Sequence, residues 1–176
     1  MRRFLLPSSG ALLSALIFGC ADQPTTPGTP QELGSIAAAS ASAGGRPIDV
    51  TFSNELPAGA FCAFAVLLEG SEKEKTIELP GDRTLLIFPG AKYTLTNLSN
   101  GNQVTFPFPG TIQVTTLENG NVELVFRGPN LIGQPFEPRF LVRTVGTFTY
   151  VFDSQGNLVQ PLQGSGQLID LCALLS

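Results

Sequence analysis

The stretch KYTLTNLSNGNQVTF, residues 92–106, decides the fold class. On one side of its centre Tyr93 and Leu95 alternate with Thr94 and Thr96. On the other side Val104 and Phe106 flank Thr105. Between the two runs stands Asn100-Gly101, a pair that tolerates the positive φ of a tight hairpin turn. A period of two, written in Val, Leu, Thr and aromatics, is the pattern of a half-buried strand. The segment therefore reads as two antiparallel strands and their turn.

The same period recurs outward in both directions. Ile48, Val50 and Phe52 alternate with polar residues, as do Ile77 and Leu79, Ile112 and Val114, Val122, Leu124 and Phe126, and Phe148, Tyr150 and Phe152. Further turn signals are Asn119-Gly120, Gly156-Asn157, Pro80-Gly81 and Pro89-Gly90. Phe61–Leu68 and Leu85–Phe88 are apolar on both faces and read as central strands. Before the last turn, Leu168–Leu175, no stretch carries a helical amphipathic pattern, so no crossover helix is available and the sheet is antiparallel. The expected fold is all-β: an antiparallel meander of about nine or ten strands closing, or nearly closing, into a barrel, with a two-sheet sandwich as the alternative. Gly128–Arg139 (GPNLIGQPFEPR) reads as a long non-strand loop. Ser71-Glu72-Lys73-Glu74-Lys75 reads as a solvated hairpin tip, and Phe106-Pro107-Phe108-Pro109-Gly110 as an edge strand or bulged corner.

The N-terminal part of the 176 residues differs in character. Arg2 and Arg3 precede an apolar run, Gly10–Phe18, that is too short to span a bilayer. It ends in Leu16-Ile17-Phe18-Gly19-Cys20, which resembles the lipobox of bacterial lipoproteins, with Phe18 standing where a small residue is usual. That resemblance implies a signal peptide over 1–19 and a lipidated Cys20. Several acyl chains exceed what stable membrane anchoring needs. Ala21 after the cysteine suits outer-membrane or cell-surface delivery. The alternatives are plain secretion with cleavage after Ala21, or a retained anchor. Residues 20–46 are Pro/Thr-rich, then Ala/Ser/Gly-rich, and read as a disordered tether with a reach of about 30 Å. Residues 47–176 form the one β domain.

Three cysteines are present, Cys20, Cys62 and Cys172. Without Cys20 an even pair remains in an exported chain, where oxidation favours a Cys62–Cys172 bridge. Two buried free thiols are the alternative.

Composition removes several function classes. The chain contains no His and no Trp. Histidine bases, Ser-His or Cys-His dyads and His-ligated metals are therefore excluded. The net charge of −4, or −6 once Arg2 and Arg3 are removed, disfavours nucleic acid as a partner. No phosphate loop, nucleophile elbow or calcium loop is present, and Asp153-Ser154-Gln155-Gly156-Asn157 reads as an ordinary turn. No catalytic residue, metal or cofactor is expected. Among the acids, Asp170 and Glu123 come closest to apolar neighbours. Arg127, Arg139 and Arg143, with Phe136, Phe140 and Tyr150, are candidate contacts for a hydrophobic or anionic small ligand if they converge at a barrel mouth. Otherwise the arginines pair with Glu123, Glu137 and Asp170 at the rim.

The tail Phe152-Asp153, Gly156-Asn157-Leu158-Val159-Gln160-Pro161-Leu162, Gly164, Gly166 and Asp170-Leu171-Cys172-Ala173-Leu174, with the Leu79-Pro80-Gly81 turn, resembles a family of secreted bacterial proteins with no assigned activity. The resemblance covers Phe61 to the end. It implies export and paired cysteines, and no substrate. The expected role is a non-catalytic, lipid-anchored binding or structural domain at the cell envelope, held to the membrane by its lipid and meeting a small ligand or an envelope protein. A hydrophobic-ligand carrier and a carboxylate enzyme are the alternatives.

Overall fold

The computed structural model describes residues 46–176. The expected signal peptide, Cys20 and most of the expected tether lie outside the described residues. Nine strands and one short helix follow in order: β1 Ile48–Leu56, β2 Val66–Leu79, β3 Arg83–Ile87, β4 Lys92–Asn97, β5 Gln103–Pro107, β6 Thr111–Thr116, β7 Val122–Gln134, β8 Phe140–Phe152, β9 Leu158–Asp170 and α1 Leu171–Leu175. Every pairing is antiparallel. All five turn glycines expected from the sequence have positive φ: Gly81, Gly90, Gly101, Gly120 and Gly156.

The registers show how few long strands the chain uses. β3 pairs with Lys75–Leu79 of β2, and β4 continues along β2 from Ser71 to Val66. β6 pairs with β3 and β5 with β4. Thus β3 and β4 form one long strand, interrupted at Phe88-Pro89-Gly90-Ala91. β5 and β6 form its partner, interrupted at Phe108-Pro109-Gly110. Pro89 and Pro109 lack the N–H that a continuous ladder requires. Above the interruption the sheet continues through β6, β7, β8 and β9. Below it β1, β2, β4 and β5 turn away as a second layer.

A row of glycines crosses the larger sheet at the same level. Gly128 stands opposite Gly146, and Gly146 opposite Gly166. Gly110 comes next on the β6 side, its Cα 3.7 Å from where a Gly128 Cβ would lie. A Cβ on Gly110, Gly146 or Gly166 would fall 2.1–2.4 Å from a backbone oxygen of the next strand. Side chains are excluded by contact at these three and disfavoured by a positive φ of 79° at Gly128, and the strands bend there. The bend shows in β8. Straight, the ten steps from Phe140 to Tyr150 would span about 33 Å, yet their rings stack with centroids 6.5 Å apart.

Folding along this line produces two cores on opposite faces of β7 and β8. Inside the fold lie Phe126, Ile132, Val142, Phe148 and Tyr150, with Ile112, Leu124, Phe140, Phe152, Leu158 and Leu162 around them. On the other face Leu131 and Leu141 meet Leu95, Val66, Phe61, Cys62, Leu171 and Leu175. That second core is tied from the chain's ends. The Cys62–Cys172 disulfide has Cα atoms 5.4 Å apart across 110 residues of sequence. Asn97, 1% exposed, donates through Nδ2 to the Leu175 carbonyl at 2.9 Å. Asn100 and Asn102 reach the same carbonyl at 3.2 and 3.4 Å.

Four expectations are corrected. Among the described residues the sheet is not closed: β1 pairs only with β2 and β9 only with β8. The disulfide draws α1 onto the early chain, so it tethers without adding a ladder. Phe61–Ala65 are turns and bends rather than the start of a central strand; their apolar side chains fill the second core. Gly128–Gln134 continue β7, leaving only residues 135–139 as loop, because Pro129 sits at the bend. Residues 71–75 lie within β2, and Glu72 is buried. The edge reading of β5 holds, as β5 pairs with β4 alone.

Candidate functional site

The first cluster is a polar-aromatic strip on β1, β2, β4 and β5. Period two along β2 puts Glu72 and Glu74 on one face and Lys73 and Lys75 on the other. Gly70, between Phe52 and Tyr93 in register, lets those rings meet edge to face at 5.3 Å; a Cβ there would lie 2.5 Å from Tyr93. Tyr93 stacks on Phe108 at 4.8 Å and donates its hydroxyl to Glu72 Oε2. Burial, then the Glu72 hydrogen bond and charge, hold the Tyr93 proton on well beyond the usual phenol range. Glu74 is pushed up by burial and by neighbouring Glu72. Tyr93 thus keeps its proton and donates a hydrogen bond to the buried Glu72 carboxylate, an arrangement that orders β2 against β4. Among the described residues no three His, Cys, Asp or Glu side chains converge in a metal-binding group.

Arg143 extends the strip. Its guanidinium lies 5.0 Å from the Phe106 ring centroid and 5.9 Å from that of Phe108. Its Nε is buried without a hydrogen-bond partner among the described residues. Stacking on two rings offsets part of that cost, since a cation over an aromatic face is attracted by the ring quadrupole.

The residues expected at a common mouth do not converge. Tyr150 points into the inner core, where Gln134 accepts its hydroxyl at 2.5 Å, whereas Arg143 faces the opposite side of β8. Burial pushes the Tyr150 hydroxyl up to about 12. Arg127 is exposed and donates to Gln113 at 3.4 Å. Arg139 pairs with Glu137 at 3.4 Å, both exposed, beside exposed Phe136. Of the expected ion pairs only Arg139–Glu137 forms. Asp170 instead caps α1, accepting from the Ala173 N–H at 3.1 Å. Asp153 accepts from Gln155 and Asn157 in its turn, which holds its carboxyl below the usual range. Sequence reasoning missed Glu72. The signal was present, because strict alternation across 70–75 fits a strand as well as a solvated charge run.

The second feature is a cleft of about 230 Å³ between β8 and β9, lined by Phe140, Val142, Leu162, Leu168 and Asp170. Leu168 is 52% exposed. The cleft opens along β9, whose outer edge pairs with no strand among the described residues and whose residues from Leu158 to Ile169 carry no charge. Such an edge displays unpaired N–H and C=O groups. Comparison with protein-family models, with curated proteins and with solved structures finds no match for the chain.

Proposed function

We propose that the chain is an exported, lipid-anchored β domain with a non-catalytic binding or structural role at the cell envelope. The observation that carries this reading is the Cys62–Cys172 disulfide. It uses both cysteines left once Cys20 is committed to lipid, and such bridges persist in oxidising compartments. The apolar run ending at Gly19-Cys20 supplies the address, and the tether sets the folded domain off the membrane. For binding, the domain offers the free β9 edge and its apolar cleft.

The carrier alternative has one supporting feature, the same cleft. At about 230 Å³ it is smaller than the roughly 300–1,000 Å³ of sites that enclose a small molecule, and the inner core is occupied by Phe126, Phe148 and Tyr150. The test is metabolic labelling of the full chain with palmitate. Label is expected on the wild type and absent from Cys20→Ala. Equal label on both would overturn the anchor.

A further inference from the structure

We propose that the free edge of β9 pairs with β9 of a second copy of this chain, antiparallel, about a twofold axis at Ser165. Residues 162–168 read Leu-Gln-Gly-Ser-Gly-Gln-Leu, a palindrome centred on Ser165. Under that axis Leu162 faces Leu168 of the second copy, Gln163 faces Gln167, Gly164 faces Gly166, and Ser165 faces itself. A twofold interface must be self-complementary, and here every cross-strand pair is like with like.

Three observations place this pairing on this edge. Gln163 to Leu168 are exposed, while β8 covers only the inner side of the strand. No charge stands between Leu158 and Ile169, so two copies meet without repulsion, whereas the β1 edge carries Asp49 and Glu55. Leu162 and Leu168 both line the cleft, so the second copy brings its own leucine pair across the opening and removes Leu168 from water. The two glycines have a reason within one chain, since a Cβ on Gly164 would lie 2.1 Å from the Thr147 oxygen and one on Gly166 2.1 Å from the Val145 oxygen. Leu162 packs beside the inner core, whereas exposed Gln163, Gln167 and Leu168, which complete the match, have none. The glycine row also fits: the axis at Ser165 sets Gly164 and Gly166 of the second copy at the end of the row, so the bend continues across the interface. Pro161 of each copy ends the ladder, one at either side, because it has no N–H to donate. Seven residues make a short interface, so association depends on concentration.

The test uses purified full-length protein under a mild oxidant. Ser165→Cys places two identical thiols across the axis and is expected to give a reducible covalent dimer, several-fold above that of Gln155→Cys in the exposed β8–β9 turn. Adding Gln163→Lys with Gln167→Lys, which sets ammonium against ammonium, is expected to reduce the dimer to the control level. Adding Gln163→Glu with Gln167→Lys, which sets carboxylate against ammonium, is expected to preserve it. All these positions are exposed, and an unchanged melting temperature checks folding. Crosslinking no greater than Gln155→Cys, as when an extended segment of another protein is the true occupant, overturns the proposal. So does equal crosslinking in the two charge variants.

Discussion

The two cores on either side of β7 and β8 are held together in different ways. The outer core, around Leu95, Leu171 and Leu175, is assembled from distant parts of the chain and tied by a covalent bridge and three asparagines. The inner core, around Phe126, Phe148 and Tyr150, is made by strands folding over themselves along a line of glycines. One depends on what the ends of the chain are fastened to. The other depends on what is left out along Gly110, Gly128, Gly146 and Gly166. An open sheet can thus bury two apolar layers without becoming a barrel, and its outermost strand, β9, stays available.

The largest expected effect falls on the fastened side. Breaking the disulfide with Cys62→Ser and Cys172→Ser removes a constraint on 110 residues. The chain-entropy model gives a loss of about 4–5 kcal/mol. Chemical denaturation should show that loss; a change under about 1 kcal/mol would mean the asparagines and packing suffice. Next is the bend. Gly146→Ala puts a Cβ 2.2 Å from the Ser165 oxygen at φ 145°. A cost of about 2–4 kcal/mol is expected, combining backbone strain with displacement of β9. Gly59→Ala, at φ 80° with open space around it, is the control. Equal costs would show that positive φ alone, not the crossing of strands, accounts for the effect.

Smaller effects test the hydrogen bonds in each layer. Tyr93→Phe leaves the buried Glu72 carboxylate without its donor, a loss of about 1–3 kcal/mol. Tyr150→Phe should cost about 1–2 kcal/mol, because it leaves the neutral Gln134 Oε1 without a donor while Nε2 keeps the side chain in place through the Phe136 and Pro138 carbonyls at 3.1 and 2.6 Å. Tyr150 also sets a pH dependence. Its folded pKa of about 12 lies above the unfolded value near 10. The folded state therefore holds the proton where the unfolded state has lost it. The contribution is complete below pH 10 and is lost as pH rises from 10 toward 12. Tyr93 acts in the same direction. Denaturation between pH 9 and 12 should show a shallower decline in Tyr150→Phe than in the wild type; an identical slope would place the titration elsewhere.

Most strands were legible in the sequence because apolar and polar residues alternate along them, as at Tyr93–Thr96 and Phe148–Phe152, whereas β9 and the first half of β8 lack that alternation and were not read. The turns were legible because Asn-Gly and Pro-Gly fix local dihedrals. The glycine row was not read, although its spacing was visible. Gly110, Gly128 and Gly146 recur every 18 residues, and Gly166 follows after 20, close to the length of one long strand plus its turn. Its meaning is a cross-strand register, which period two within one strand does not report. Glu72 was misread because a charge run looks solvated until its neighbours on β1 and β4 are known. The cation–aromatic site was half legible: Arg143 does meet phenylalanines, but Phe106 and Phe108 rather than Phe136. An odd separation from Tyr150 puts the two on opposite faces of β8, and sequence proximity conceals that.

The bend in β8 is the claim on which both cores, the cleft and the free β9 edge depend. The direct measurement is a nuclear Overhauser spectrum with selectively labelled Phe and Tyr rings. Phe140 and Tyr150, ten positions apart in one strand with centroids 6.5 Å apart, should give strong ring-to-ring cross-peaks, and Gly146→Ala should weaken them. Absent cross-peaks in the wild type, together with amide contacts between β1 and β9, would contradict the bent open sheet and indicate a closed barrel.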